Sequence, residues 1–390
     1  MIVKRDIEES IQKIYRKIPV IVVTGPRQSG KTTLCKNFFS SKKYINLEEL
    51  DKRDFALSDP KGFLNQYGYD VIIDEIQRAP QLLSYIQVIV DENPKAKFIL
   101  TGSSQFELMS KITQSLAGRA IIVRLLPFSL KELKVLYKNK MPDVFSFLIK
   151  GFYPRLHINK IEQSIFYGSY ISTYIERDLR LLINLKDLHL FQKFLKLCAG
   201  RIGNILNLSS LANDIGVSHT TVKTWINLLE TSNIIFLLKP YYKNISKRLI
   251  KSPKLYFYDT GIAAYLLGIE TKEQLLRDPL RGALFENLVI SEFIKMRFNN
   301  LKDNNLYFYR DSNGTEIDLM CVKGNEIIPI EIKSGETITD EYFKNIKKIK
   351  HSLPNICYPS VIYAGNDIQM RTDINVYPYF DINNLFKNIK

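Results

Sequence analysis

Four segments of different texture follow one another along the chain. In the first, short apolar runs (Val20 to Val23, Val71 to Ile73, Phe98 to Leu100) alternate with longer stretches of helical period. Short, wholly apolar β-branched runs suit strands buried on both faces, so the pattern predicts an α/β fold with a parallel sheet. Ile7, Ile11, Ile14 and Ile18 fall at helical spacing and predict a helix leading into the first strand. Thr33 to Phe39, 51–67 and 80–92 read as further helices, and Tyr44 to Leu47 and Ala120 to Leu125 as further strands. Residues 145–190 place Leu, Phe, Tyr and charges at helical spacing, which suits a small helical lid.

Leu208 to Glu230 reads differently: a helix, a turn holding Gly216, and a second helix opened by Ser218. Strands over 234–240 and 254–258 follow, joined by a basic loop, which completes a winged helix-turn-helix pattern. Further on, Phe285 to Ile294 is an amphipathic helix, and two apolar runs meet at Gly324-Asn325 as a β-hairpin. The expected domains are therefore an α/β core over 1–144, a helical lid over 145–185, a winged helix over 186–268 and a second α/β domain over 269–390.

Composition adds a partner and a compartment. The 390 residues are 45% hydrophobic and 24% charged, as in an ordinary globular protein, but the formal charge of +15 suits an anionic partner, above all DNA. Cys35, Cys198, Cys321 and Cys357 are far apart and form no C-x-x-C pair, which fits reduced thiols better than disulfides or a zinc site. No apolar run approaches membrane-spanning length and the N-terminus has no apolar signal core, so a cytoplasmic protein without membrane attachment is expected.

The first strand ends in Gly25-Pro26-Arg27-Gln28-Ser29-Gly30-Lys31-Thr32-Thr33, the G-x-x-x-x-G-K-S/T phosphate loop. Glycines let successive backbone N–H groups point at a phosphate, and the helix beginning near Gly30 adds the positive end of its dipole. Lys31 supplies a point charge for the β- and γ-phosphates, and the Thr32 hydroxyl a ligand for Mg²⁺. A second apolar run ends in Asp74-Glu75, the Walker B arrangement: Asp74 is expected on the metal side and Glu75 as the base that polarises water. The strand Lys97 to Thr101 leads to Ser103, preferred over Thr101 as the polar residue near the γ-phosphate; the same hydroxyls could cap the next helix. Arg119, at a turn before the last strand, is placed either as an arginine finger toward a neighbouring subunit or as a surface arginine.

These motifs, with Ile-Leu-Thr-Gly-Ser-Ser over 99–104, Leu-Ala-Gly-Arg over 116–119, Leu-Pro-Phe-Ser-Leu-Lys-Glu-Leu over 126–133, Gly-Phe-Tyr-Pro over 151–154 and Tyr-Asp-Thr-Gly over 258–261, carry a resemblance. The chain resembles the archaeal and bacterial AAA-type (AAA+) P-loop ATPases that bear a conserved C-terminal domain of unknown function. The resemblance implies an AAA+ core, ATP rather than GTP, and a homo-oligomer.

Folding the C-terminal hairpin about Gly324-Asn325 sets Asp318 opposite Glu331, and the period of two puts Lys333 on the same face. Facing carboxylates repel unless something positive lies between them. A divalent metal on Asp318, Glu331 and the Ile332 carbonyl, with Glu286 nearby and Lys333 steadying a water, would resolve this. The D…E-x-K pattern resembles the PD-(D/E)XK restriction-endonuclease-like fold, although a surface salt-bridge cluster would use the same residues. In the helix-turn-helix, His219, Thr220, Thr221 and Lys223 would face a major groove and Lys247, Arg248 and Lys251 phosphates. Two functions are therefore expected to compete: an ATP-driven enzyme that acts on and cuts DNA, and an ATP-driven switch that holds DNA or a protein partner without cutting.

Overall fold

The computed structural model describes residues 2–102, 114–178, 187–242 and 252–389. Two compact units emerge: Met1–Phe128 with Thr231–Asn233 and Phe298–Lys302, and the remainder.

The first unit is a sheet of five parallel strands in the order β2-β3-β4-β1-β5. They are β1 (Val20–Thr24), β2 (Lys43–Asn46), β3 (Asp70–Asp74), β4 (Lys97–Thr101) and β5 (Ala120–Arg124). Helix α1 (Glu8–Tyr15) precedes the sheet, and α2 (Lys31–Phe38), α3 (Leu50–Ser58), α4 (Pro60–Tyr67) and α5 (Leu82–Glu92) connect it. The period of two explains why the runs are apolar throughout: Val20, Val22, Val71, Ile73, Phe98 and Leu100 pack on one face with Phe63, Leu83 and Ile86. Ile21, Val23, Ile72, Ile99 and Val123 pack on the other with Ile7, Ile11, Leu34 and Cys35. Both faces are covered by helices, which brings the C-terminal ends of β1, β3 and β4 to one edge.

The second unit carries a sheet of eight strands, β12-β13-β11-β10-β9-β8-β6-β7. Its strands are β6 (Ile235–Pro240), β7 (Lys254–Phe257), β8 (Leu306–Arg310), β9 (Glu316–Lys323), β10 (Glu326–Lys333), β11 (Ser360–Tyr363), β12 (Gln369–Met370) and β13 (Asn375–Pro378). The antiparallel pair β6–β7, expected as a wing on its own, joins the others where Lys239 pairs with Tyr307 and Pro240 with Phe308. One sheet therefore runs through the boundary expected at 268–269. The β9–β10 register runs from Glu326 opposite Lys323 to Ile330 opposite Leu319, about a turn in which Gly324 has φ 59°. The next step sets Asp318 against Glu331.

Helices Val144–Lys150, Pro154–Ile158 and Gln163–Tyr170 fill the stretch expected as a lid, and Ile171–Asp178 continues them as a π-helix. Asp259, fully buried, ties this stretch to the helix Thr260–Leu266: it accepts hydrogen bonds from the Phe152 amide (2.6 Å), the Tyr167 hydroxyl (2.6 Å) and the Ile262 amide (3.2 Å). A buried carboxylate needs that many donors to offset its lost hydration.

Candidate functional site

At the end of β1 the backbone turns through Gly25 at φ 145°, where a Cβ would lie 2.1 Å from the Leu125 carbonyl oxygen. No other residue type fits so close an approach. Gln28 and Gly30 also have positive φ (62° and 97°), and α2 starts at once after Gly30. The buried guanidinium of Arg5 pins this loop, donating from Nη1 to the Ser29 carbonyl (2.9 Å) and from Nη2 to the Leu126 carbonyl (2.7 Å). Lys31 is itself buried and donates from Nζ to the carbonyls of Gly25 (3.0 Å) and Pro26 (2.9 Å). Burial lowers its pKa to about 8, against the opposing pull of Glu75 and Asp74.

β4 lies between β1 and β3, and its register with β3 brings Thr101 beside Asp74. Three hydroxyls converge on that carboxylate: Thr32 donates to Oδ2 (2.8 Å), Tyr44 to Oδ2 (2.5 Å) and Thr101 to Oδ1. Thr101 Oγ1 also accepts from the Glu75 amide (3.3 Å). Glu75 adopts the left-handed conformation at φ 57°, uncommon for a residue with a Cβ and typical of strain kept at working sites. Its pKa is raised, chiefly by burial and further by Asp74, while Lys31 and the Gln77 amide that donates to it pull the other way. A glutamate tuned upward suits a general base.

These residues fit a nucleoside triphosphate with Mg²⁺. The buried Ser29 Oγ has no hydrogen-bond partner among the described residues, Gly25 and Gly30 leave the backbone open to close approach, and Lys31 brings a cation. Thr32 and Asp74 offer the oxygen donors that a hard cation prefers. Because the proton on Lys31 is part of the anion site, ATP affinity should fall about tenfold for each pH unit above roughly 8, until the pKa of the bound form is reached. The sign for the fold is opposite. The pKa of Lys31 in the folded protein lies below its ordinary 10.5, so the nucleotide-free protein gains stability as pH rises from about 8 toward that value. Titration calorimetry with ATP across this range checks the first and thermal melting without nucleotide the second; an affinity independent of pH would contradict the buried ammonium.

Thr101 meets Asp74 in this site, and Ser103, expected near the γ-phosphate, lies outside the described residues. Tyr44 and Arg5 carry no sequence signal, since a pairing register and a loop clamp depend on contacts distant in sequence. Arg119 forks onto Asp91 of its own chain, Nε to Oδ1 at 2.6 Å and Nη2 to Oδ2 at 2.8 Å.

In the second unit the hairpin assembles its constellation. Lys333 Nζ lies 3.4 Å from Asp318 Oδ2 and 3.3 Å from Glu331 Oε2; the Ile332 amide donates to Asp318 Oδ2 (2.7 Å) and the Asn345 amide group to Glu331 Oε1 (2.9 Å). Glu286, on helix Arg281–Asn299, accepts from Tyr256 at Oε1 (2.5 Å) and from Lys254 Nζ (3.3 Å). Burial and the Asp318 charge raise Glu331 to about 9 and Glu286 to about 7. For Asp318 burial also pushes upward, but Lys333, a hydrogen bond shared with Glu331, Lys254 and the Ile332 amide outweigh it and hold the pKa low. Among the described residues no group of three or more His, Cys, Asp and Glu is disposed to hold a metal ion. Lysine ammoniums supply positive charge beside these carboxylates: Lys333 at Asp318 and Glu331, and Lys254 at Glu286.

In the helix-turn-helix stretch, Leu208–Ile215 and His219–Thr231 are helices, and the Ser218 hydroxyl caps the second by accepting from the Thr221 amide (3.1 Å). His219, Thr220 and Lys223 are exposed and Thr221 is half-buried. Lys247, Arg248 and Lys251 lie outside the described residues.

Sheet order, phosphate loop and paired carboxylates together define a P-loop ATPase domain. Residues 17–134 match the family model of an AAA domain, so this unit is of AAA type. Residues 141–273 and 281–382 match two domains of unknown function, DUF8612 and DUF4143. An uncharacterized protein of Mycobacterium tuberculosis is 29% identical over 340 residues, covering 86% of this chain and 75% of the relative. Another, from Methanocaldococcus jannaschii, is 25% identical over 412 residues, covering 95% and 87%. Among solved structures, a Walker-type ATPase of Pyrococcus abyssi aligns with a TM-score of 0.47 at 16% identity, over 68% of this chain and 96% of that one. No helix among the described residues is long and apolar enough to cross a membrane.

Proposed function

We propose that the chain binds ATP with Mg²⁺ in the phosphate loop, hydrolyses it with Glu75 as base, and uses the cycle to change how its helix-turn-helix segment holds DNA. The convergence of Thr32, Tyr44 and Thr101 on Asp74, beside Lys31 and Glu75, carries the reading. Thr32 and Asp74 would hold the metal, whose charge offsets that of the phosphates. Lys31 binds the phosphate oxygens, the loop amides orient them, and Glu75 takes the proton of the attacking water. Thr101 keeps Asp74 and the Glu75 backbone in one position relative to each other.

The DNA part is supported by the +15 charge and by the exposed, capped N-terminus of helix His219–Thr231. Cleavage is left out of this reading because lysines already neutralise Asp318, Glu331 and Glu286. Action as a homo-oligomer with Arg119 as a finger belongs to the same proposal, and requires Arg119 to leave Asp91.

Phosphate release measured with and without duplex DNA tests it. The expected result is a rate that changes when DNA is added, by an amount that shrinks as salt is raised. An unchanged rate at every DNA concentration, together with no binding of labelled duplex at low salt, would remove DNA from the account and leave the ATPase.

A further inference from the structure

β7 belongs to the hairpin that follows the helix-turn-helix, yet it ends the same sheet that carries Asp318 and Glu331. Lys254, its first residue, is 4% exposed, and its aliphatic stem and ammonium run inward. The ammonium lies 3.3 Å from Glu286 Oε1 and 2.5 Å from Glu316 Oε1, and 5.4 Å from the centre of the Phe308 ring. A lysine is buried so deeply only when its charge is matched, and two carboxylates match it here. The same contact answers for Glu286, whose Oε1 has the Lys254 ammonium and the Tyr256 hydroxyl as its donors. Lys333 does the same for Asp318 and Glu331.

We infer that Lys254 is the built-in cation of this cluster: with Lys333 it supplies the positive charge that a nuclease-like constellation takes from a divalent metal, and the cluster ties β7 to the C-terminal sheet without binding metal. A second cation among these carboxylates would have to share them with a buried ammonium. The repulsion disfavours the metal unless the lysine leaves, and leaving would take from Glu286 and Glu316 the cation that matches them. The inference is independent of the ATP reading, because every residue in it lies in the second unit.

The test uses the full chain without nucleotide, melted with and without millimolar Mn²⁺, together with Mn²⁺ binding followed by electron paramagnetic resonance. Wild type and Asp318→Asn should bind Mn²⁺ equally, and added Mn²⁺ should shift neither melting curve differently from the other. Lys254→Met leaves Glu286 and Glu316 without their cation, so it should melt lower than wild type. It should regain stability when Mn²⁺ is added and bind Mn²⁺ at least tenfold more tightly; the double variant Lys254→Met/Asp318→Asn should lose both gains. Lys254→Arg, which keeps the charge, should behave as wild type. Wild-type Mn²⁺ binding that Asp318→Asn abolishes would overturn the inference, as would Mn²⁺-dependent DNA cleavage that the same variant abolishes. A folded Lys254→Met chain that gains no Mn²⁺ site would overturn it too. If Lys254→Met does not fold, the comparison of wild type with Asp318→Asn still decides.

Discussion

Lys31→Ala is expected to lower kcat/KM for ATP by on the order of 10²- to 10³-fold or more, since it removes a preorganised cation from the phosphates. The loss should not come from unfolding. In the nucleotide-free protein Lys31 is a buried ammonium that donates to the carbonyls of Gly25 and Pro26, and burial pulls its pKa down more than the charges of Glu75 and Asp74 raise it. Removing it therefore relieves a desolvation cost, and the variant should melt no lower than wild type at neutral pH. Phosphate release together with thermal melting checks both statements. A Lys31→Ala chain that turns over ATP at the wild-type rate would move the chemistry away from this loop.

Glu75→Gln should separate binding from chemistry. The glutamine keeps the shape and the left-handed backbone of residue 75 but cannot accept a proton, so kcat should fall by about 10²- to 10⁴-fold. ATP affinity should stay within about threefold, because Lys31, Thr32 and the loop amides are untouched. The pH profile gives a second readout. Glu75 acts as a base only when deprotonated, and burial raises its pKa, so the wild-type rate should rise with pH through a value above that of an ordinary glutamate. That limb should vanish from the residual activity of Glu75→Gln. If the limb persists, another group is the base.

Much of this site was legible in the sequence, and the reasons are local. A phosphate loop must be contiguous, because its amides act together, and a buried parallel strand announces itself as a short apolar run, so β1, α2 and the end of β3 fall where the pattern puts them. The hairpin register was legible too: a two-residue Gly-Asn turn fixes which residues face each other, and a period of two fixes the face. What could not be read depends on contacts between distant segments. Thr101 meets Asp74 because β4 inserts between β1 and β3, and strand order is not written in any one strand. Arg5 reaches Ser29 and Leu126 from a segment whose pattern announced only an amphipathic helix. The largest difference lies at the second constellation. Asp318 and Glu331 face each other with Lys333 beside both, as the register requires; but Glu286 and Glu316 meet Lys254, more than sixty positions upstream of Asp318 on a strand expected to belong to a separate wing. Sheet continuity through β6 and β8 puts it there, and two short pairings, Lys239 with Tyr307 and Pro240 with Phe308, create that continuity.

The claim that ATP sets the grip on DNA is tested most directly by one titration: labelled duplex DNA against the Glu75→Gln chain at a single low salt concentration, without nucleotide, with ADP and with ATP, read by fluorescence anisotropy. Hydrolysis in this variant is expected to be at least about a hundredfold slower, so the ATP-bound form should persist through the measurement. The account predicts that DNA affinity with ATP differs from that with ADP by at least about fivefold, the lower end of ordinary coupling between sites. Equal affinity in all three conditions, with ATP binding shown in parallel, would contradict it.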